Sequence, residues 1–296
     1  MSTRELQGAP RTAGDMLQRA REYLERKQVP ESRLAAELLV AHALGFGRLK
    51  LFLGLDRPVT AEEIERARSF LVRRGQREPV AYITGQREFY GRPFHVTRDV
   101  LIPRPETELL VDRARELAAV HADPNPALGD FGTGSGCIAT TLALEILGAR
   151  VTAMDSSAPA LECAAANARR LGAGVRFVLG DTPGALCQGE GAPAALDFLL
   201  ANPPYVMPEE AAELAPEVQG FEPREALFAP AGRPHYWLER LLGEGLELLR
   251  PGGFLLVELG HRQADAALEL ASQRGLAARV HPDLDGVGRV LEVTRG

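Results

Sequence analysis

The stretch Ala127-Leu128-Gly129-Asp130-Phe131-Gly132-Thr133-Gly134-Ser135-Gly136 opens as an apolar run and closes on glycines at alternate positions. The first half reads as a short strand and the second as the turn into a helix. Gly132 and Gly134 let a backbone bend tightly and approach a ligand with no Cβ in the way. Gly136 begins the helix, whose first amides face whatever occupies the turn. Taken alone, such a loop also fits an ordinary strand-to-helix turn, so its meaning depends on the rest of the chain.

Beyond residue 105, strand-like and helix-like segments alternate. The runs "ALGDFG", "RVTAM", "VRFVL", "LDFLLA", "GFLLVEL", "LAARV" and "RVLEVT" are short, apolar and β-branched. Helix-length stretches at 137–147, 158–171, 236–249 and 262–273 lie between most of them. This predicts an α/β domain with a seven-stranded, mostly parallel sheet covered on both faces. Only "HPDLDG" separates the last two strands, too little for a parallel crossover, so that pair is expected to be antiparallel. A parallel sheet with such an edge is the Rossmann-like methyltransferase arrangement, and ligands bind such sheets at the carboxyl ends of the strands.

Upstream the texture differs. Residues 13–75 read as helices, with Met16, Leu17, Ala20 and Leu24 on one face and a capping box at Thr60 and Glu63. Residues 79–105 are rich in β-branched and aromatic side chains around Gly91-Arg92-Pro93, which predicts a hairpin or extended linker. The expected organisation is therefore a helical N-terminal domain at 1–78, a hairpin linker at 79–105 and the α/β domain at 106–296.

Composition closes off other classes. No apolar run approaches the roughly 18–20 residues of a membrane helix, and "MSTRELQGAP" lacks the apolar centre of a secretory signal. Three cysteines at unmatched spacings and six scattered histidines suggest neither a disulfide framework nor a metal site. A reducing, cytoplasmic setting is expected. Residues 1–85 hold 15 basic and 11 acidic side chains, a net of +4, whereas the remainder holds 19 and 29, a net of −10. The α/β part thus lacks the basic footprint of a nucleic-acid binder.

Further acids give the glycine loop its meaning. Asp155 ends the second strand, where a carboxylate can accept hydrogen bonds from ribose hydroxyls. Asp181 ends the third, where such folds contact adenine. The glycines lack the wider spacing of the pyrophosphate fingerprint, and Asp130 sits where a carboxylate could meet a cationic methionine end. Both points favour S-adenosylmethionine over a nicotinamide cofactor.

The fourth strand ends in Asn202-Pro203-Pro204-Tyr205, at the same sheet edge. A planar NH₂ group is a poor nucleophile because its lone pair is delocalised. The Asn202 side-chain oxygen and the Pro203 carbonyl can each accept one of its N–H bonds and aim the nitrogen at a methyl group. The prolines fix these directions in advance. Tyr205 can stack on the substrate or wall the pocket. Adenine N6, guanine N2 and glutamine N5 all fit this chemistry.

The segment Leu101-Ile102-Pro103-Arg104-Pro105-Glu106-Thr107-Glu108 narrows the choice. With "GDFGTGSGCIA", "NPPYV", "YITGQREFYGRPFHV", "FEPREAL" and "PGGFLLVELGHRQ" it resembles the peptide chain release factor glutamine methyltransferases (the PrmC/HemK family). The resemblance implies methyl transfer from S-adenosylmethionine to the glutamine side-chain amide in the Gly-Gly-Gln loop of class 1 release factors. A monomer without metal is expected, and the mild positive charge of the N-terminal helices points to their docking the release factor. The resemblance carries cofactor contacts onto Asp130, Gly132, Thr133, Gly134, Ser135, Gly136, Asp155, Asp181, Thr182 and Asn202. It carries substrate contacts onto Leu101, Asn202, Pro203, Pro204 and Tyr205, with Asn202, Pro203 and Tyr205 as the catalytic set. Arg104, Thr107 and Glu108 fall in the segment expected to cover the cofactor's methionine end. Where some members read Ser-Asp-Trp after the third strand, this chain reads Gly180-Asp181-Thr182, so the wall against adenine must come from elsewhere. The competing readings are an N-methyltransferase acting on an exocyclic amine of a nucleic-acid base, and a methyltransferase fold reduced to a binding module.

Overall fold

The computed structural model describes residues 9–296. The stretch read as lacking a secretory signal lies outside the described residues at positions 1–8. The chain divides into two compact units. One runs to Gly85 and takes in Ala215–Phe221; the other holds Gln86–Leu214 and Glu222–Gly296.

The first unit is built from α1 (Ala13–Arg26), α2 (Ser32–Ala43), α3 (Arg48–Leu53), α4 (Ala61–Gly75), α5 (Val80–Thr84) and the later helix at Pro216–Phe221. Thr12 and Asp15 cap α1, and Thr60 and Glu63 cap α4, each pair satisfying two backbone donors reciprocally. Met16, Leu17, Ala20 and Leu24 face inward as their spacing requires. Val80–Thr84 corrects the expectation of an extended linker from residue 79. Pro79 precedes the turn, Ala81, Tyr82 and Ile83 are buried, and Gly85 ends it in the left-handed region. Burial of these side chains against the bundle overrides their β propensity.

Glu37 on α2 is fully buried and meets three guanidiniums, from Arg21 at 2.7 Å, Arg33 at 3.1 Å and Arg48 at 2.7 Å. Burial alone would raise its pKa. The hydrogen bonds from Arg48, Arg33 and Arg21 outweigh it and hold the carboxyl below its ordinary value of 4.5.

The second unit starts with a hairpin, β1 (Gln86–Phe89) and β2 (Arg92–His95), whose turn residues Tyr90 and Gly91 both have positive φ. Then come α6 (Glu108–Ala119), β3 (Ala127–Phe131), α7 (Cys137–Glu145), β4 (Arg150–Asp155), α8 (Ala158–Leu171), β5 (Val175–Leu179) and β6 (Leu196–Ala201). The Pro216–Phe221 helix is α9. Beyond it lie α10 (Arg224–Leu227), α11 (Tyr236–Arg240), β7 (Leu249–Glu258), α12 (Ala264–Gln273), β8 (Ala278–Pro282) and β9 (Gly288–Thr294).

The sheet order is β5-β4-β3-β6-β7-β9-β8. The first five strands are parallel, and β9 runs antiparallel to both neighbours. All seven strands lie where the apolar runs place them, and the last pair is antiparallel as its short connection demands. The helix expected over 236–249 is shorter. After Arg240 it widens into a π-type turn at Leu241–Gly245. There a Cβ on Gly245 would come within 2.9 Å of Leu199. Close packing on β6 uses that glycine.

The Glu37 cluster gives a pH-dependent prediction. A folded pKa below the unfolded one contributes stability above that unfolded value, and the contribution is lost as pH falls through the folded pKa. Glu37→Gln should lower the stability of the intact chain by about 1–3 kcal/mol near pH 7. The difference from wild type should disappear in acid. Thermal melts recorded by circular dichroism at the two pH values check this.

Candidate active site

The site sits at the carboxyl edge of the sheet, where β3, β4, β5 and β6 end. In the β3–β6 pairing, Phe131 lies opposite Ala201. The glycine loop and Asn202 therefore leave the sheet side by side. Between them opens a cavity of about 360 Å³, lined by Leu101, Arg104, Thr107, the loop from Phe131 to Ser135, Asp155, Asp181, Asn202, Pro203, Pro204 and Trp237, among others.

The loop is pinned at several points. The backbone N–H groups of Gly132 and Thr133 donate to the Met154 carbonyl at 3.0 and 2.9 Å. Gly134 N–H donates to Asp155 Oδ2 at 2.8 Å, and Ser157 N–H to Asp155 Oδ1 at 2.9 Å. Asp155 thus both shapes the loop and lines the cavity, and each of its oxygens keeps a further lone pair. Gly132 and Gly134 have φ of +74° and +53°, and a Cβ at either would meet no protein atom within 4 Å. That is an open cradle beside the Asp155 carboxylate.

Asp130 lies beneath the loop, fully buried, and is not among the residues lining the cavity. Its Oδ2 accepts from Thr133 Oγ1 at 2.6 Å and Ala139 N–H at 3.2 Å, while Oδ1 has no partner. Burial pushes its pKa up to about 7 against the pull of these bonds. Through Oδ2 it holds the loop from below.

Sequence reasoning missed a second anchor. Asn167 on α8 is buried, and its Nδ2 donates to the Ser135 carbonyl at 2.9 Å and the His95 carbonyl at 2.8 Å. Its Oδ1 accepts from His95 N–H at 2.7 Å. One amide thereby ties the glycine loop to β2. A lone asparagine inside an amphipathic helix gives no local sign of such a role.

The other candidate residues divide between the cavity wall and its supports. Leu101 and Arg104 line the cavity. Glu222, buried in "FEPREAL", accepts from Ile102 N–H at 3.1 Å and from Arg104 Nη2 at 2.5 Å, which fixes the Leu101–Glu108 segment in place. Glu108 instead accepts from Tyr90 N–H in the hairpin turn at 2.7 Å. Asp181 lines the cavity and Thr182 does not. Tyr205 does not line it either. Its ring lies against Gly260, where a Cβ would sit 2.9 Å from the ring edge. Burial, then the charge of Glu258, raises its phenol to about 12, so it stays neutral. Asn202 Nδ2 donates to Thr107 Oγ1 at 3.2 Å. Among the described residues no group donates to Asn202 Oδ1 or to the Pro203 carbonyl. Downstream, Val206 pairs with the Leu227–Ala229 segment through two backbone bonds of 3.0 and 2.8 Å, so the motif is held at both ends.

Trp237, the chain's single tryptophan, is a cavity residue that sequence reasoning did not find. It stands at the start of α11, packs on Phe131 at 5.7 Å between ring centroids and lines the cavity. Its indole Nε1 is buried without a partner. Arg240, one helical turn on, donates to the Asp181 carbonyl at 3.2 Å and ties α11 to the loop after β5.

Comparison with known proteins agrees with this geometry. Residues 15–85 match the PrmC N-terminal domain and residues 107–218 the methyltransferase small domain. The release factor glutamine methyltransferase of Chlorobaculum tepidum is 46% identical over 259 residues, covering 86% of each chain. That of Koribacter versatilis is 42% identical, covering 92% of this chain and 94% of its own. The chain belongs to the release factor glutamine methyltransferase family. Among solved structures, the hMettl16 catalytic domain in complex with an RNA hairpin aligns with a TM-score of 0.54 at 18% identity, over 81% of this chain and 84% of that one. At that identity the likeness is one of fold. Fold and family together imply S-adenosylmethionine as cofactor, and the open glycine cradle with Asp155 beside it suits it.

Two glycines separate folding from binding. A Cβ on Gly136 would lie 2.8 Å from Ala164 Cβ and 3.0 Å from its Cα, at a φ of +76°. Gly136→Ala should therefore destabilise the fold by about 1–3 kcal/mol through overpacking, beyond the cost of the left-handed backbone. Gly132→Ala should show only that backbone cost in a thermal melt and a larger loss in S-adenosylhomocysteine affinity by calorimetry.

Proposed function

We propose that this protein methylates the N5 side-chain amide of the glutamine in the Gly-Gly-Gln motif of class 1 release factors, using S-adenosylmethionine. The observation that carries the reading is the pair of unengaged acceptors, Asn202 Oδ1 and the Pro203 carbonyl, at the wall of the cavity beside the glycine loop. A primary amide has two N–H donors, and two fixed acceptors match it.

When bound, the cofactor supplies an electron-poor methyl group. The chain supplies orientation. Asn202 and Pro203 hold both N–H bonds, which directs the nitrogen's face and draws lone-pair density back from the carbonyl. Because Pro203 and Pro204 have fixed φ, little ordering entropy is lost on capture. No side chain is needed as a strong base, since an alkylated amide nitrogen loses its extra proton to water readily. Leu101 gives the aliphatic part of the glutamine an apolar neighbour.

On the cofactor's other end, we assign the ribose hydroxyls to Asp155 and the adenine edge to the neighbourhood of Asp181. The flat face of adenine falls to Trp237, with Phe131 and Met154 beside it. This is the wall that Thr182 cannot provide. The helical unit, net positive through Gly85, is the part we assign to release-factor docking, in the cytoplasm. The acidic balance of the remainder disfavours a nucleic-acid substrate.

Incubation with labelled S-adenosylmethionine and a release factor should label the wild-type factor and leave its Gln→Ala loop variant unlabelled. Equal labelling of both would sink the reading. Asn202→Ala should reduce kcat about 100-fold, the scale of one preorganised polar contact, with cofactor affinity largely kept. Equal loss of the two would make Asn202 chiefly a cofactor ligand.

Trp237 allows a test without any protein substrate. As the only tryptophan, its fluorescence should change on titration with S-adenosylhomocysteine and with adenosine but not with methionine. Trp237→Leu should weaken S-adenosylhomocysteine binding roughly tenfold, within the range of base–aromatic stacking. An unchanged Kd would remove Trp237 from the adenine site.

A further inference from the structure

Between Ser32 and Leu55 the sequence holds one acidic side chain, Glu37, against Arg33, Arg48 and Lys50. This stretch forms α2 and α3. On α2, Leu34 and Leu38 stand four residues apart; on α3, Leu49, Phe52 and Leu53 recur at three- and four-residue spacing. Such spacing ordinarily marks a face turned to the core. The core face of α2 is a different one, made of Ala36, Leu39, Val40 and Ala43, which are completely covered. Leu49 and Leu53 are instead 74% and 80% exposed, and Leu34, Leu38 and Phe52 are over one third exposed.

Half of the large apolar side chains exposed among the described residues therefore fall between Leu34 and Leu53. The others, Val120, Leu147, Leu179, Leu268 and Leu284, lie far apart in the sequence of the second unit, and single exposed leucines are ordinary. A concentration of five on two adjoining short helices is not.

Arg48 joins the two helices into one face. It donates from α3 to Glu37 on α2, and its guanidinium carbon lies 5.9 Å from the centre of the Phe52 ring. Glu37 also sets the sign of the charge displayed there. It is fully buried and carries one negative charge against the guanidiniums of Arg21, Arg33 and Arg48. Two positive charges remain. The side chains of Arg33 and Arg48 are 76% and 53% exposed, so the excess reaches the surface. Lys50, its ammonium 4.6 Å from the centre of the Phe46 ring, adds another.

A leucine-rich centre with a basic rim is complementary to a protein surface that is apolar in the middle and acidic at its edge. A nucleic-acid backbone would engage the cations and leave the leucines in water. A lipid surface suits long cationic side chains that are free to follow it, whereas Glu37 holds Arg33 and Arg48 in place. Fixed guanidiniums suit carboxylates at fixed positions.

We propose that the α2–α3 face, centred on Leu49, Phe52 and Leu53 and rimmed by Arg33, Arg48 and Lys50, docks an acid-edged apolar patch of the release factor. This rests on the function proposed above and deepens it. Recognition of the intact factor then depends on contacts other than those made to the glutamine.

The experiment measures, by calorimetry, the affinity of the full chain for a release factor whose loop glutamine is changed to alanine, so that binding is read without turnover. Leu49→Ser combined with Leu53→Ser should weaken binding about tenfold, the scale of removing apolar anchors from an interface. Lys50→Glu should also weaken it, and added salt should weaken the wild type more than Lys50→Glu. Because these side chains are exposed, thermal melts of the variants should match wild type. In steady-state methylation both variants should raise KM for the intact factor, with kcat and the S-adenosylhomocysteine Kd unchanged. A short peptide carrying only the Gly-Gly-Gln loop should be methylated equally by all three proteins. Unchanged affinity for the factor in both variants overturns the face. So does a joint loss of kcat and cofactor affinity, since that marks a folding defect. Binding to a short RNA or to anionic vesicles that the substitutions abolish, with affinity for the factor intact, assigns the face to another partner and overturns it too. A wild type that labels the factor, with variants that match it, removes the face alone. A wild type that neither binds nor labels the factor removes the proposed function with it.

Discussion

The pairing of β3 with β6 is the constraint on which the site depends. Their register sets Phe131 against Ala201, so the chain leaves both strands at the same level. One exit is a glycine loop that turns without side chains, and the other is a pair of prolines that turns without freedom. A ligand that reaches one must lie against the other. In a parallel sheet every strand ends at one edge and every crossover helix starts there. Asp155 and Asp181 come to the same edge for the same reason.

A second layer of contacts keeps that edge from moving. Asp130 holds the glycine loop from below, and Asn167 holds it from the side while grasping the hairpin. Glu222 fixes the Leu101–Glu108 segment through a backbone amide and a guanidinium. None of these three carboxyl and amide groups lines the cavity. All three are buried polar groups, and the hydrogen bonds of Asn167, of Glu222 and of one Asp130 oxygen offset the cost of burying them. The catalytic edge is thus supported by polar groups that the core encloses, and its precision comes from their fixed partners.

Much of this is legible from local pattern. Seven apolar runs mark seven strands, and the inner ones are apolar along their length because both faces are covered. Alternate glycines, the acid after the second strand and Asn-Pro-Pro-Tyr mark the site, because their chemistry is local and unusual. Val80–Thr84 reads wrongly as extended, because its residues favour strands and only the surrounding bundle makes a helical turn there worthwhile. Tyr205 reads as a wall of the pocket, yet its ring packs on Gly260. A phenol's direction depends on which neighbour leaves space for it.

Sequence alone determined the sheet, its antiparallel edge, the family, and the residue types that meet at the strand ends. Each is written in spacing, periodicity or a contiguous motif. Tertiary structure alone decided that Trp237 reaches the cavity from α11, that Asn167 bridges the loop and the hairpin, and that Thr107 meets the Asn202 amide. These residues are separated from their partners by 32 to 106 positions. No local pattern encodes such contacts, since they arise only when strand register and helix packing bring distant side chains within hydrogen-bond or ring-contact reach.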